Sequence, residues 1–159
     1  MLFRVASKVI PELGFECGEL PALFLGYPGL VRGYDQYSFE STECLDGTNG
    51  SCPAFDRLVG SRVAIANAEL RFPIWGAFGG EQFYGPLPVE VALFADAGSA
   101  WNQGEHPSFN GGSRSAVSSA GVAFRVSLLG FAVGELDIAH AFQRPGHGWI
   151  FGFNLMPGW

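Results

Sequence analysis

At 159 residues the chain has the length of a single domain, yet only 15% of its residues are charged, against about 25% in an ordinary soluble domain. A net charge of -6 and a pI near 4.9 exclude nucleic-acid binding, which needs clustered Lys and Arg to neutralise phosphates. No uninterrupted run of roughly 18 apolar residues exists to cross a bilayer as a helix, and 23 Gly, 10 Pro and 15 Phe point to strands and turns, so the predicted class is all-β.

The first predicted element is a strand over residues 2–10, where Phe3, Val5 and Val9 alternate with Arg4 and Lys8. The same stretch lacks the apolar core and small-residue cleavage site of a signal peptide, so for an exported protein the sequence is expected to be either truncated or mis-started. A long connection over residues 11–59 follows. Within it Cys44 and Cys52 flank a polar stretch, Leu-Asp-Gly-Thr-Asn-Gly-Ser. Their spacing leaves two readings open: a small loop disulfide formed in an oxidising compartment, or a zinc site, although no further Cys or His pair lies nearby at ligand spacing. Cys17 would remain unpaired.

Five further segments alternate by two, the period of a strand whose faces meet different surroundings. Over 60–73, Ala64, Ala66, Ala68, Leu70 and Phe72 oppose Val63, Ile65, Asn67, Glu69 and Arg71. Over 89–101, Val89, Val91, Leu93, Ala95 and Ala97 oppose Glu90, Phe94, Asp96 and Gly98. Over 115–128, Ala120, Val122, Phe124, Val126 and Leu128 oppose Ser115, Ser119, Gly121, Arg125 and Ser127. Over 131–143, Leu136, Ile138 and Phe142 oppose Glu135, Asp137 and Gln143, with His140 on the apolar side, a position suited to an interface. Over 149–156, Trp149, Phe151, Phe153 and Leu155 oppose Ile150, Gly152, Asn154 and Met156.

Segments of about ten alternating residues match the 9 to 11 that a tilted strand needs to cross a bilayer. The tryptophans at 75, 101, 149 and 159 fall at strand ends, where an indole favours the membrane interface. Connections alternate in length, with the tight Leu129-Gly130 between longer loops. The fold expected is therefore an antiparallel transmembrane β-barrel. Six strands cannot close one, since the smallest have about eight, so more chain or assembly is required.

The long connection carries Val31-Arg32-Gly33-Tyr34, preceded by Phe24-Leu25-Gly26-Tyr27-Pro28-Gly29. Phe94-Ala95-Asp96-Ala97-Gly98 lies on the next strand but one, Asn67-Ala68-Glu69-Leu70-Arg71-Phe72 lies on the strand between, and an aromatic strand ends in Trp159. In order and spacing these motifs resemble the bacterial surface antigen family, the C-terminal barrel of BamA-like and TamA-like outer-membrane assembly and two-partner-secretion proteins. The resemblance covers essentially the whole chain.

It implies that residues 1–159 form the C-terminal portion of the barrel, the last six of about sixteen strands, with the connection at 11–59 folded into the lumen. It also implies that Arg32 pairs with Asp96, with Glu69 as second acceptor, that Gly33 turns the loop tip, and that Tyr34 packs on residues such as Phe94. Gly98 completes the second motif. The last strand, through Trp149, Phe151, Phe153 and Trp159, would form a weak seam that opens to template a client strand. The implied function is insertion, assembly or translocation of proteins at a bacterial-type outer membrane, with the C-terminus periplasmic. Its partners would be outer-membrane lipid, client or secreted proteins and accessory periplasmic proteins.

Other readings compete. An Arg32–Asp96 pair serves equally as a staple without a part in transport. His106, His140 and His147 are isolated from one another, the serines of 113–119 suit a wet strand face, and Glu90 and Asp96 share such a face, so no nucleophile, base or ligand set assembles. An outer-membrane protease or phospholipase is thus not expected, nor is a metal or cofactor. A passive surface antigen, pore, or anchor for a fused upstream domain stays as the alternative.

Overall fold

The computed structural model describes residues 2–10, 22–27, 29–44, 52–74, 89–108, 114–128, 131–144 and 146–157. Cys17, Pro28, Trp75, Ser113, Leu129, Gly130 and Trp159 lie outside them. In chain order the elements are β1 (Leu2–Ile10), β2 (Leu23–Phe24), a one-turn helix α1 (Pro53–Asp56), β3 (Val59–Gly60), β4 (Arg62–Pro73), β5 (Val89–Trp101), β6 (Val117–Leu128), β7 (Ala132–Ala141) and β8 (Trp149–Pro157). Two short 3-10 turns, Gln36–Ser38 and Ser41–Cys44, precede α1.

Six strands form one antiparallel sheet in the order β1, β4, β5, β6, β7, β8, and the two-residue strands β2 and β3 pair separately. Each long strand hydrogen-bonds to its neighbour in sequence; the excursion between β1 and β4 leaves the sheet and returns beside its own departure point. The segment expected as one loop over 11–59 therefore carries structure of its own. Leu25 N–H donates to Leu58 O at 2.9 Å and Val31 N–H to Leu25 O at 3.2 Å, which folds the excursion into a compact lobe.

Alternation sorts each strand into two faces. On β8, Phe151 is 77% exposed while the preceding Ile150 is 7% exposed. Leu93, Phe124, Leu136, Phe142, Trp149, Phe153 and Leu155 share the exposed face, whereas Glu69, Asp96, Ser119, Glu135 and Asp137 are buried on the other. A soluble sheet has the reverse arrangement, with its apolar face covered. Here the lobe covers the polar face. Its Leu25, Val31, Tyr34 and Leu58 pack on Val63, Ile65, Ala100, Val117, Ala141 and Ile150 at one end of that face, and this is the larger apolar core among the described residues.

Strand ends depart from the alternation by one or two residues for identifiable reasons. Ser115 forms an isolated bridge with Ser108, so β6 starts only at Val117. Phe142 and Gln143 lie past the end of β7, although Phe142 N–H still donates to Ser118 O. Gln143 is diverted to hold the lobe.

Candidate functional site

The antiparallel register sets Asn67 across from Asp96, Glu69 across from Phe94, Arg125 across from Glu135 and Ala123 across from Asp137, so charged residues of four strands converge on one face. Arg32 descends onto them from the lobe. Its Nε donates to Asp96 Oδ2 at 2.7 Å and its Nη2 to Asp96 Oδ1 at 2.9 Å, a bidentate fork. Nη1 donates to Glu69 Oε1 at 2.9 Å and lies 3.5 Å from Glu135 Oε1. The guanidinium also stacks 3.6 Å above the Phe94 ring centroid.

Other donors complete the carboxylates. Asn67 Nδ2 bridges Asp96 Oδ1 at 2.8 Å and Leu30 O at 2.7 Å, tying strand to lobe, and Arg71 donates through two nitrogens to Glu69 Oε2. Arg125 donates to both oxygens of Glu69 and to Glu135. Three guanidiniums are thus shared among Glu69, Asp96 and Glu135. Asp137 shares the face, and its Oδ1 has no hydrogen-bond partner among the described residues. Burial opposes the charge on Arg32, but the Asp96 hydrogen bond and the three carboxylates outweigh it and raise its pKa, so the side chain stays cationic.

Two glycines permit this approach. Gly33 has φ +83, a left-handed conformation that a side chain resists, and a Cβ there would stand 3.1 Å from the Ala139 Cβ. At Gly98 a Cβ would meet Val31 Cγ2 at 2.8 Å and Leu25 Cδ2 at 3.0 Å, so the sheet is bare where the lobe touches it. The turn at Gly33 also alters the expected partner of Tyr34. The Phe94 ring lies under Arg32, whereas Tyr34 projects away toward the end of β7. Its hydroxyl lies 2.8 Å from Gln143 Oε1 and 3.1 Å from Ser118 O and accepts from Gln143 N–H. Burial raises the Tyr34 pKa, which keeps that proton in place.

Further arginines grip the lobe. Arg144, just beyond β7, donates from Nε and Nη2 to the two oxygens of Glu43 at 2.9 and 2.7 Å. From Nη1 it donates to Gly33 O and Ser38 Oγ, both at 2.8 Å, and from Nη2 to Ser38 O at 2.7 Å. Its guanidinium lies 4.0 Å above the Phe39 ring centroid. Those hydrogen bonds hold Glu43 below its ordinary pKa. Cys44, next to Glu43, is disulfide-bonded to Cys52, which caps α1. Arg114, before β6, donates to Asp56 O and Val59 O and pairs with Glu105 at 2.9 Å.

A family model described as the Omp85 superfamily domain matches residues 19–158. The chain belongs to the Omp85 superfamily. This is the family toward which the two loop and strand motifs pointed, and it is a family of the outer membrane concerned with protein assembly and translocation, whose members work with client proteins there. No curated protein and no solved structure matches the chain.

In this Omp85 chain, Val31, Arg32, Gly33, Glu69, Phe94, Asp96 and Gly98 come together under the lobe, and Tyr34 reaches out to Gln143. Trp149, Phe151 and Phe153 lie apart from them on the exposed face of β8. His140 stands between the rings of Phe142 and Trp149 at 5.4 and 5.5 Å, and His106 lies in the β5–β6 connection. Sequence reasoning sets Arg125 and Glu135 on the polar face but outside the arginine's circle; their charges, one and two strands from Asp96, were the available signal. It passed over Arg144 and Glu43 as loop residues. No local pattern joins groups separated by 101 positions.

Proposed function

We propose that this chain is the C-terminal portion of an outer-membrane β-barrel, the last six of about sixteen strands, with its C-terminus toward the periplasm. In the intact protein the barrel takes part in inserting, assembling or translocating other proteins. The described lobe residues, 22–27, 29–44 and 52–60, then lie inside the lumen as a held plug, and β8 forms one side of the seam at which a client strand is templated.

The observation that carries this reading is Arg32 bound at once to Asp96 and Glu69 on a polar face that, among the described residues, no layer of apolar helices covers. An excursion fastened in that way across the inward side obstructs whatever passes there. The exposed apolar face supports immersion in lipid: a row of Leu, Phe and Trp facing water would be an aggregation surface, whereas facing acyl chains it needs no cover.

Single-channel recording of the full-length protein tests the plug. Arg32→Ala is expected to raise conductance and its flicker; unchanged conductance would count against a loop held in the lumen. Cysteines placed at Phe151 or Phe153 should crosslink to nascent barrel clients during active assembly, and absence of such crosslinks would remove the templating role.

A further inference from the structure

We infer that Arg144 is a positioning residue that couples the lobe to the edge strand β8, so that the plug and the strand loosen together. Among the described residues β8 pairs with β7 alone, and no strand lies beyond it. Residues 142–148 join these two strands, and among those described the backbone is tight: Arg144 N–H donates to Ala141 O at 3.4 Å, while Gly146 and His147 N–H donate back to Arg144 O at 3.0 and 3.1 Å. The guanidinium therefore moves with the β7–β8 hairpin.

All its described acceptors belong to the lobe. A guanidinium has five N–H donors in a rigid fork, and Arg144 uses Nε once and Nη1 and Nη2 twice each, on Glu43, Gly33 and Ser38. No donor is left over, and the side chain is 1% exposed. A lysine offers three donors from one point and cannot span this set. The bond to Gly33 O lies one residue from Arg32, so displacement at Arg144 is felt directly at the fork on Asp96. Glu43 in turn is fixed from the lobe side, because Cys44 is tied to the start of α1.

A second contact runs the same way without Arg144. Ile150, the second residue of β8, is buried in the apolar cluster with Leu25, Val31 and Tyr34 of the lobe. Peeling β8 from β7 thus uncovers lobe residues, and lifting the lobe uncovers β8. Two elements that share both an apolar contact and a buried ion cluster open cooperatively rather than singly.

The inference rests on the proposed function for what the coupling serves, namely release of the plug as the seam opens, but its test does not depend on that. Amide hydrogen exchange is measured on the full-length protein in vesicles of outer-membrane lipid, in wild type, Arg144→Lys and Glu43→Gln. Both substitutions are expected to raise exchange by at least about tenfold, the factor that 1.4 kcal/mol produces, in residues 30–43 and also in residues 149–153. Acceleration confined to 30–43 would reduce Arg144 to a staple of the lobe and overturn the coupling. No acceleration in either segment would show that Arg32 holds the lobe alone, and would overturn it too. Glu43→Gln leaves every sheet residue in place, so the question stays open to test if Arg144→Lys fails to fold. Coupled exchange in a protein that inserts no client would refute the proposed function and leave the coupling standing.

Discussion

Arg32 and Arg144 make similar forks, yet their loss leaves different things behind. Removing Arg32 strands Asp96, whose side chain is wholly buried, beside Glu69 and Glu135 with fewer cations to hold them. Breaking a buried pair from one side costs about 3–5 kcal/mol. Arg32→Ala is therefore expected to lower the denaturant midpoint of the folded form sharply, and Arg32→Lys, which keeps the charge but not the fork, to recover only part of it. The Glu43–Arg144 pair adds a pH dependence. Because Glu43 titrates below its ordinary 4.5 in the folded chain, its contribution is complete above that value and disappears as pH falls through the lowered one. Exchange in residues 36–44, taken relative to the intrinsic amide rate at each pH, should stay slow down to about pH 5 and accelerate below the usual carboxylate range. In Glu43→Gln it should be fast throughout; a wild-type profile flat to about pH 3 would sink this assignment.

At the scale of elements, the strands were legible because alternation is local and each strand face meets one kind of surroundings along its whole length. Asn67, Glu69, Asp96, Arg125, Glu135 and Asp137 could all be set on one face from parity alone. The interior of the excursion was not legible. Its order comes from Leu25, Val31 and Leu58 meeting Ile65, Val117 and Ile150 of distant strands, and neither periodicity nor turn residues encode such a meeting. Gly98 shows how specific that contact is. A Val there would press on Val31 and Leu25, so Gly98→Val is expected to destabilise the docked lobe by about 1–3 kcal/mol. Faster exchange should appear in residues 25–34 while β5 and β6 stay protected. Protection lost uniformly across the sheet would mean that the lobe and strands are one cooperative unit instead.

For the whole molecule the decisive question is what touches the exposed face. If it is lipid, a charge there is penalised according to depth, about 2–4 kcal/mol for Arg near the bilayer midplane and little near its edges. Leu136 lies mid-strand on β7 and is 58% exposed. Leu136→Arg is expected to destabilise the protein in bilayers by that amount, and Trp149→Arg, at a strand end, by much less. Equal effects at the two sites would argue against a membrane-spanning sheet. Reaching the family from the sequence leans on two short motifs, Val31-Arg32-Gly33-Tyr34 and Phe94-x-Asp96-x-Gly98, whose arginine and aspartate lie 64 positions apart and whose chemical reason becomes visible only when strand and lobe are seen in contact.

The grip of Arg144 also carries a timetable. Its partners Gly33 and Ser38 lie 111 and 106 residues earlier in the chain, and Tyr34 waits equally long for Gln143. Contacts of such separation form late, because most of the chain must first be laid in register to bring them together. Until the β7–β8 hairpin is in place, the lobe lacks its second anchor and the apolar seat offered by Ile150. A chain arrested before β8 would therefore hold the lobe by the Arg32 fork without the seat at Ile150, and addition of β8 is the event that completes the docking.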